Sequence, residues 1–350
     1  MVANYHTQRE TVYTQPPARQ VAPEPVQLAA QFVTIDERHA GQRLDNFLAK
    51  LLKNTPRTYI QRIIRSGEVR INKGRVAFDS RVQLGDVVRV PPLKGTEKTA
   101  ESIQSAQTAP RINATKPRDA LPFAILYEDE HLLAIDKPSG WAVHGGSGVN
   151  LGVIEVLRQH ALSPFLELAH RIDRDTSGIL IVAKRRPALV AMQEQLRAGT
   201  WKKHYRCVVQ VTTNAADFVQ REVKLPLLRT ESANGDRLVR VDEAQGQFAL
   251  SRLRVLRKNM AYAELQVRIL TGRTHQIRVH CAHIGLPLLG DDKYGDFALN
   301  KQLAAQGVKR LMLHAHTLEL IHPVTQAVLQ LTSPIPKDYA QAAQRLLPQA

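Results

Sequence analysis

The sequence predicts an α+β protein, in which a small basic module precedes a larger domain built on a mixed, largely antiparallel, curved sheet with flanking helices. Apolar residues recur at helical spacing between positions 44 and 64, and short alternating strands follow them. Beyond position 121 strand patterns outnumber helical ones, and most connections between them suit antiparallel pairing. These observations define the fold class and separate the two parts of the chain.

Composition points to a polyanionic partner. The 350 residues include 48 Lys and Arg against 32 Asp and Glu, a net charge of +16 and a pI near 10.1. Nucleic acid is the first candidate and an acidic membrane surface the second. No apolar run approaches the roughly 18 residues of a membrane span. The absence of a signal-peptide core and the presence of only two cysteines, Cys207 and Cys281, favour a reducing cytoplasm.

Changes in composition divide the chain into four segments. Residues 1–32 are rich in Gln, Pro and Ala without any period, which predicts a flexible tail. The basic module is expected over 33–92. A Thr-, Ala-, Ser- and Pro-containing linker covers 93–120, and the larger domain covers 121–340.

Two short amphipathic helices open the basic module. One apolar face is formed by Leu44, Phe47, Leu48, Leu51 and Leu52. A second helix carries Ile60, Ile63 and Ile64 and ends at Gly67. Segment 43–90 holds 11 Lys and Arg against four acids, and 11 − 4 gives +7.

The module resembles an S4 domain, which binds structured RNA. The resemblance rests on three pieces in order: 43–48 (RLDNFL), 67–72 (GEVRIN) and 84–88 (LGDVV). It implies RNA contacts through the basic side chains Arg43, Arg62, Arg65, Arg70 and Lys73. The alternative is a solvated basic face on an ordinary small domain.

The most distinctive stretch of the larger domain is 170–178 (HRIDRDTSG), followed by the apolar run 179–183. This pattern predicts a loop dense in ionisable groups that is anchored by a buried strand. Asp173 is the candidate reactive carboxylate, provided that a cation keeps it ionised. The alternative is a surface loop in which Asp173 pairs with Arg171 or Arg174.

Two arginines could supply that cation. Residues 271–273 predict a turn, and Thr274 is expected to N-cap a helix that carries Ile277 and Cys281. Arg278 lies inside this helix and Arg273 before it, so we expect Arg278 to pair with Asp173. Tyr205, on a strand entered through basic residues, could stack under a base. Alternatively, Arg278 faces water and Tyr205 is an ordinary core residue.

The spacing of the histidines does not predict a metal site. His275, His280, Cys281 and His283 cluster, with His314 and His316 further on, but their intervals match no zinc pattern. Histidines hydrogen-bonded on a helix and a strand are the expected arrangement.

The larger domain resembles the RluA-type pseudouridine synthases. The motifs are 136–140 (DKPSG), 170–178 and 270–280 (LTGRTHQIRVH), with Tyr205 at the position of the family's active-site tyrosine. The similarity covers about 33–335, and Ile172 stands where Leu is usual. Residues 143–148, 239–241 and 292–296 are similar to the branch that modifies the ribosomal large subunit.

The resemblance implies a function and a set of roles. The expected reaction is isomerisation of specific uridines in 23S rRNA to pseudouridine, by a monomer that acts on 23S rRNA or the pre-ribosomal large subunit, without cofactor or metal. Asp173 would be the nucleophile, Arg278 would hold it ionised and Tyr205 would stack on the uracil. Arg171 and Arg273 would contact the RNA.

Two other classes of function stay open at this point. One is a non-catalytic RNA-binding factor in ribosome assembly, against which the joint presence of Asp173, Tyr205 and Arg278 argues. The other is a hydrolase that acts on RNA or a glycoside, which would need a second carboxylate such as Asp175 near Asp173.

Overall fold

The computed structural model describes residues 30–37, 39–52, 55–92, 121–145, 151–160, 162–212, 217–231 and 237–348. The predicted linker 93–120 lies outside these residues, as does nearly all of the predicted tail. The last two residues of that tail, Gln31 and Phe32, begin a strand instead, because they pair with Val90 and Arg89.

The N-terminal unit is two helices packed on a small antiparallel sheet. Its elements are β1 (Gln31–Thr34), α1 (Leu44–Leu51), α2 (Arg57–Arg65), β2 (Arg70–Ile71) and β3 (Val87–Val90). The strand order is β1-β3-β2. The apolar faces predicted for both helices are buried against this sheet, so the two helix predictions are confirmed.

The larger unit is built on one ten-stranded mixed sheet. Its strands are β4 (Ala124–Glu128), β5 (Leu132–Lys137), β6 (Glu167–Leu168), β7 (Ser177–Ala183), β8 (Lys202–Gln210), β9 (Gln220–Lys224), β12 (Leu250–Lys258), β13 (Tyr262–Ile269), β14 (Leu313–Ile321) and β15 (Val328–Thr332). The main path runs β4-β5-β7-β14-β8-β13-β12-β9. Among the described strands, β7 pairs with β14 in parallel and the other pairs are antiparallel. The predicted fold class is confirmed.

Helices and one hairpin complete the larger unit. The helices are α3 (Val153–Gln159), α4 (Arg186–Ala198), α5 (Gln276–His283), α6 (Phe297–Ala305) and α7 (Lys337–Leu346), and the hairpin pairs β10 (Leu227–Glu231) with β11 (Arg237–Val241). Pro187 lies in the first turn of α4, and Gly199 ends this helix in a left-handed conformation.

Strand β7 fixes the loop that precedes it. All seven of its residues are buried, and Gly178 lies directly opposite Ala315 of β14. Gly178 has φ +108°, and a Cβ atom there would stand 2.2 Å from the Ala315 carbonyl oxygen. Only glycine therefore allows the backbones of β7 and β14 to approach this closely.

Helix α5 begins one residue later than the sequence suggested. The N-cap is His275, with φ +53°, rather than Thr274, and no side chain caps the helix. Gln276 accounts for the difference, because its Oε1 accepts hydrogen bonds from the Arg273 backbone N–H at 3.1 Å and the Thr271 hydroxyl at 2.7 Å. This side chain stabilises the turn that a Thr274 cap was expected to form.

Replacing Gly178 with alanine should lower the free energy of unfolding by about 3 kcal/mol, through left-handed strain plus a backbone clash. Gly140→Ala is the matched control. Gly140 has φ +85° but no atom within 4 Å of the position that a Cβ would occupy, so only the strain of about 1–2 kcal/mol applies. Urea denaturation followed by the fluorescence of Trp141 and Trp201 compares them. Equal losses would rule out the clash with β14.

Candidate active site

A cavity of about 580 Å³ lies where three parts of the larger unit meet. Its walls are the loop before β7, the inner face of β8, and the turn that leads into α5. Asp173, Tyr205 and Arg278 all line it, so the structure brings the three predicted catalytic residues together. The volume is in the range of pockets that enclose one small-molecule-sized group, such as a nucleotide.

The Asp173 loop is anchored from below by Lys137, at the end of β5. Its ammonium is fully buried and donates to the carbonyls of Pro138, Trp141 and Arg174 at 2.9, 2.9 and 2.8 Å. Burial lowers the pKa of Lys137 to about 7, against the opposing charge of Asp175. Three carbonyl acceptors require the three N–H groups of the ammonium form, so this contact set favours the charged lysine.

Two further hydrogen bonds fix the ends of the same loop. The Ser139 hydroxyl donates to the Asp175 carbonyl at 2.6 Å, and the Ile181 N–H donates to His170 Nε2 at 3.0 Å. Burial lowers the pKa of His170 to about 3, with help from the Lys203 charge. His170 is therefore a neutral acceptor that joins the loop to β7, and not an acid or a base.

Tyr205 lies in the middle of the sheet and faces the cavity. It pairs with Val267 of β13 and Ala315 of β14, and only 8% of its surface is exposed. Burial and the nearby Asp173 carboxylate raise the pKa of its hydroxyl. The ring is thus a neutral, rigidly held surface beside the carboxylate, which suits stacking against a base.

Arg278 is enclosed by carboxylates. Its Nε and Nη2 donate to Asp291 at 2.7 and 2.6 Å, and Nη2 also donates to Asp292 at 3.0 Å. The remaining Nη1 lies 3.8 Å from Asp173 Oδ2. Burial lowers the pKa of Arg278, but the hydrogen bonds and charge of Asp291, together with the charge of Asp173, outweigh this and raise it.

The pairing of Arg278 with Asp173 therefore differs from the expected one. The bidentate partner of Arg278 is Asp291, which is completely buried, and Asp173 faces the nitrogen that Asp291 and Asp292 do not engage. The Tyr294 ring adds a cation–π contact at 5.2 Å, and its hydroxyl is hydrogen-bonded to His275. The direction of Arg278 thus depends on this enclosure and not only on the packing of α5.

Sequence reasoning misses Asp291, Tyr294 and Lys137 as parts of the site. The pattern at 292–296 indicates only a branch of the family, and the pattern at 136–140 indicates only a turn and a family motif. A fully buried carboxylate beside such a motif has no signal of its own in the sequence, because its burial results from tertiary contacts.

The carboxylates near Asp173 do not form a glycosidase pair. Asp175 points away and pairs with Arg174 at 3.0 Å. Among the described residues that line the cavity, Asp173 is the sole carboxylate. Arg171 is exposed at the cavity wall, whereas Arg273 donates to the Phe248 carbonyl at 2.9 Å and so holds a neighbouring loop.

Comparison with known proteins identifies the family of both units. A family model described as RNA pseudouridylate synthase matches residues 131–283, and the S4 domain model matches 42–88. A protein of Vibrio cholerae named ribosomal large subunit pseudouridine synthase C is 44% identical over 92% of this chain and 98% of its own length. The protein of the same name in Escherichia coli K12 is 42% identical over 91% of this chain and 97% of its own length.

The chain belongs to the RNA pseudouridylate synthase family. It is an enzyme, a pseudouridine synthase, and the resemblance predicted from the sequence motifs is confirmed. A solved structure, human RNA pseudouridylate synthase domain containing 4, has a TM-score of 0.51 and 25% identity. It covers 64% of this chain and 92% of its own.

The basic residues of the S4 unit are not equivalent in the synthase. Arg43 is engaged by Asp45, at 2.9 and 3.1 Å. Arg62 and Arg65 are exposed on α2, with Arg62 stacked on the Tyr59 ring at 4.6 Å. Arg70 donates to the Gly67 carbonyl, and Lys73 is exposed in a turn at φ +68°. Of these five, Arg62, Arg65 and Lys73 are exposed and make no hydrogen bond to a described residue.

Two of the histidines that cluster in the sequence make side-chain hydrogen bonds within the larger unit. His280 contacts the Ser251 hydroxyl and the Leu225 carbonyl, and His314 contacts the Ser177 hydroxyl. Within the described ranges, no three His, Cys, Asp or Glu side chains are grouped as a metal site. None of the helices described by the structure is long and apolar enough to cross a membrane.

Arg278→Met should cost the synthase roughly 3–5 kcal/mol of stability, because the fully buried Asp291 would lose its counter-charge. Turnover at saturating RNA should also collapse, since Asp173 would lose its facing cation. Arg273→Met, which frees only an exposed loop, should act mainly on RNA affinity. Denaturation and pseudouridine formation are measured for both variants. Wild-type turnover by Arg278→Met with loss in Arg273→Met would show that the arginines are assigned the wrong way round.

Proposed function

We propose that the synthase isomerises selected uridines of 23S rRNA, in the free RNA or the pre-ribosomal large subunit, as a cytoplasmic monomer. The observation that carries the proposal is the meeting of Asp173, Tyr205 and Arg278 around one nucleotide-sized cavity. The names of the relatives, which act on the ribosomal large subunit, support the choice of RNA. The net charge of +16 supports a polyanionic substrate.

The reaction needs little beyond positioning and one reactive carboxylate. The bond between uracil N1 and ribose C1′ breaks, the base rotates, and C5 bonds to C1′. The proton that leaves C5 is balanced by one taken up at N1, so no redox equivalent is consumed and no water is added. Asp173 supplies the nucleophile, and Arg278 Nη1 lies 3.8 Å from its Oδ2 and faces its negative charge.

The target uridine must leave its helical stack to reach Asp173. Extrusion of a base costs a few kcal/mol. The Tyr205 ring offers a replacement stacking surface, and a cavity of about 580 Å³ can enclose the extruded nucleotide. Because the described lining of the cavity contains one carboxylate, cleavage by a carboxylate pair is not favoured, and isomerisation is the better fit.

The S4 unit would contribute affinity more than chemistry. Segment 43–90 carries a net +7, and Arg62, Arg65 and Lys73 are exposed. Contacts between such side chains and phosphates release counterions and so weaken as salt rises. This unit would hold structured RNA while the cavity processes the extruded uridine.

Asp173→Asn tests the proposal, because it keeps the side-chain shape and removes the charge. We expect pseudouridine formation on deproteinised 23S rRNA to be abolished while RNA affinity stays near wild type. The control Asp175→Asn makes the same change two residues away, where the carboxylate pairs with Arg174 outside the cavity, and should remain active.

Mapping pseudouridine in 23S rRNA treated with each protein gives both the rate and the positions. Appreciable turnover by Asp173→Asn would remove Asp173 from the catalytic role. Free uracil or cut RNA in place of pseudouridine would replace the isomerase with a hydrolase.

A further inference from the structure

A second cation faces the cavity that contains Asp173. Lys203 lies two residues before Tyr205 on β8, and alternate residues of a strand share one face of the sheet. Both side chains line the cavity accordingly. The neighbouring Lys202 projects from the other face, where it pairs with Glu319 at 2.5 Å.

Lys203 has no partner for its charge among the residues that the structure describes. In that part of the chain, no carboxylate or carbonyl accepts a hydrogen bond from its Nζ. Burial lowers the pKa of Lys203, and no described carboxylate opposes that effect. Lys137, the fully buried lysine of the site, donates to three carbonyls and is structural. Lys203 is half-buried and makes none of these contacts.

The Lys203 amine lies beside the turn that leads into α5. A Cβ atom at Gly272, in the turn before α5, would stand 3.7 Å from Lys203 Nζ. After burial, the charge of Lys203 lowers the pKa of His170, whereas the charge of Asp173 acts on Tyr205 and Arg278. Base and sugar would therefore lie at Asp173, and another part of the nucleotide would lie at Lys203.

An unpaired, partly buried ammonium is unfavourable until an anion approaches it. At neutral pH the anions of RNA are its phosphodiesters. We propose that Lys203 is a phosphate-binding residue of the active site, whose ammonium contacts a backbone phosphate flanking the extruded uridine. The inference rests on the proposed function in taking RNA as the ligand.

The location beside Tyr205 gives this contact a specific use. A phosphate held at Lys203 fixes the backbone on one side of the target, and the carboxylate then meets C1′ or the base at a defined distance. Phosphate contacts of this kind position a nucleic acid without reading its sequence. Lys203 would thus fix the position of the RNA backbone in the active site. Other residues would select the target uridine.

The test compares Lys203→Met, Lys203→Arg and the control Lys202→Met. The ligand is an RNA stem-loop from 23S rRNA that the wild-type protein binds. Lys203→Met should weaken binding about 10- to 100-fold, as expected for the loss of one charge-assisted contact. It should also lower the salt slope of log affinity by about 0.7. Lys203→Arg should restore most of the affinity, and Lys202→Met should bind as wild type.

A second experiment identifies which phosphate of the RNA contacts Lys203. Single neutral methylphosphonates are introduced at each loop position, so the 5′ and 3′ neighbours of the target are tested separately. One substitution should weaken wild-type binding and leave Lys203→Met unaffected, because the contact is already lost. Lys203→Met should also melt at the same temperature as wild type or higher, since an uncompensated buried charge is removed.

The outcomes separate this inference from the proposed reaction. Wild-type affinity and salt slope in Lys203→Met, or equal sensitivity of both proteins to every methylphosphonate, would overturn the phosphate contact. Failure of Lys203→Arg to restore binding, with a lower melting temperature in Lys203→Met, would show a structural lysine instead. If the wild type made no pseudouridine yet the binding results held, the phosphate contact would stand and the proposed reaction would fall.

Discussion

The buried ion pair between Arg278 and Asp291 is the interaction on which the site depends. Both side chains are almost completely enclosed, so the cost of removing them from water is offset only by their two short, parallel hydrogen bonds. These bonds join the first turn of α5 to the segment after Leu289. They also leave Nη1 as the nitrogen that faces Asp173, so a structural contact determines how the cation beside Asp173 is oriented.

Asp173 is fixed by a separate set of contacts on the other side of the cavity. The close approach of Gly178 to β14 places the end of the loop, and Lys137 holds its backbone from beneath. Neither contact involves α5. Two separate sets of contacts therefore position the Asp173 carboxylate and the Arg278 guanidinium, which lie 3.8 Å apart. Such preorganised charges need little rearrangement when the substrate arrives, which is the main source of electrostatic catalysis.

Local features of this chain could be predicted from its sequence, and features created by tertiary contacts could not. The spacing of apolar residues predicts the helices of the S4 unit and strand β7. The charged loop before this buried strand indicates Asp173 as a candidate site residue. The partner of Arg278 could not be found this way, because Asp291 becomes buried only when distant segments meet. Lys203 is visible in the sequence merely as a basic residue leading into a strand, and its isolation from described acceptors is a property of the folded cavity.

The most direct measurement is the turnover of Asp291→Asn at saturating RNA, below its unfolding temperature. Asparagine keeps the shape and can still accept the Lys293 and Tyr294 backbone N–H groups, but it lacks the second oxygen that fixes Arg278. Asp292→Asn, which alters a largely exposed partner, is the control. We expect Asp291→Asn to slow pseudouridine formation by roughly 100-fold or more while RNA affinity is retained. Wild-type turnover by folded Asp291→Asn would contradict this expectation.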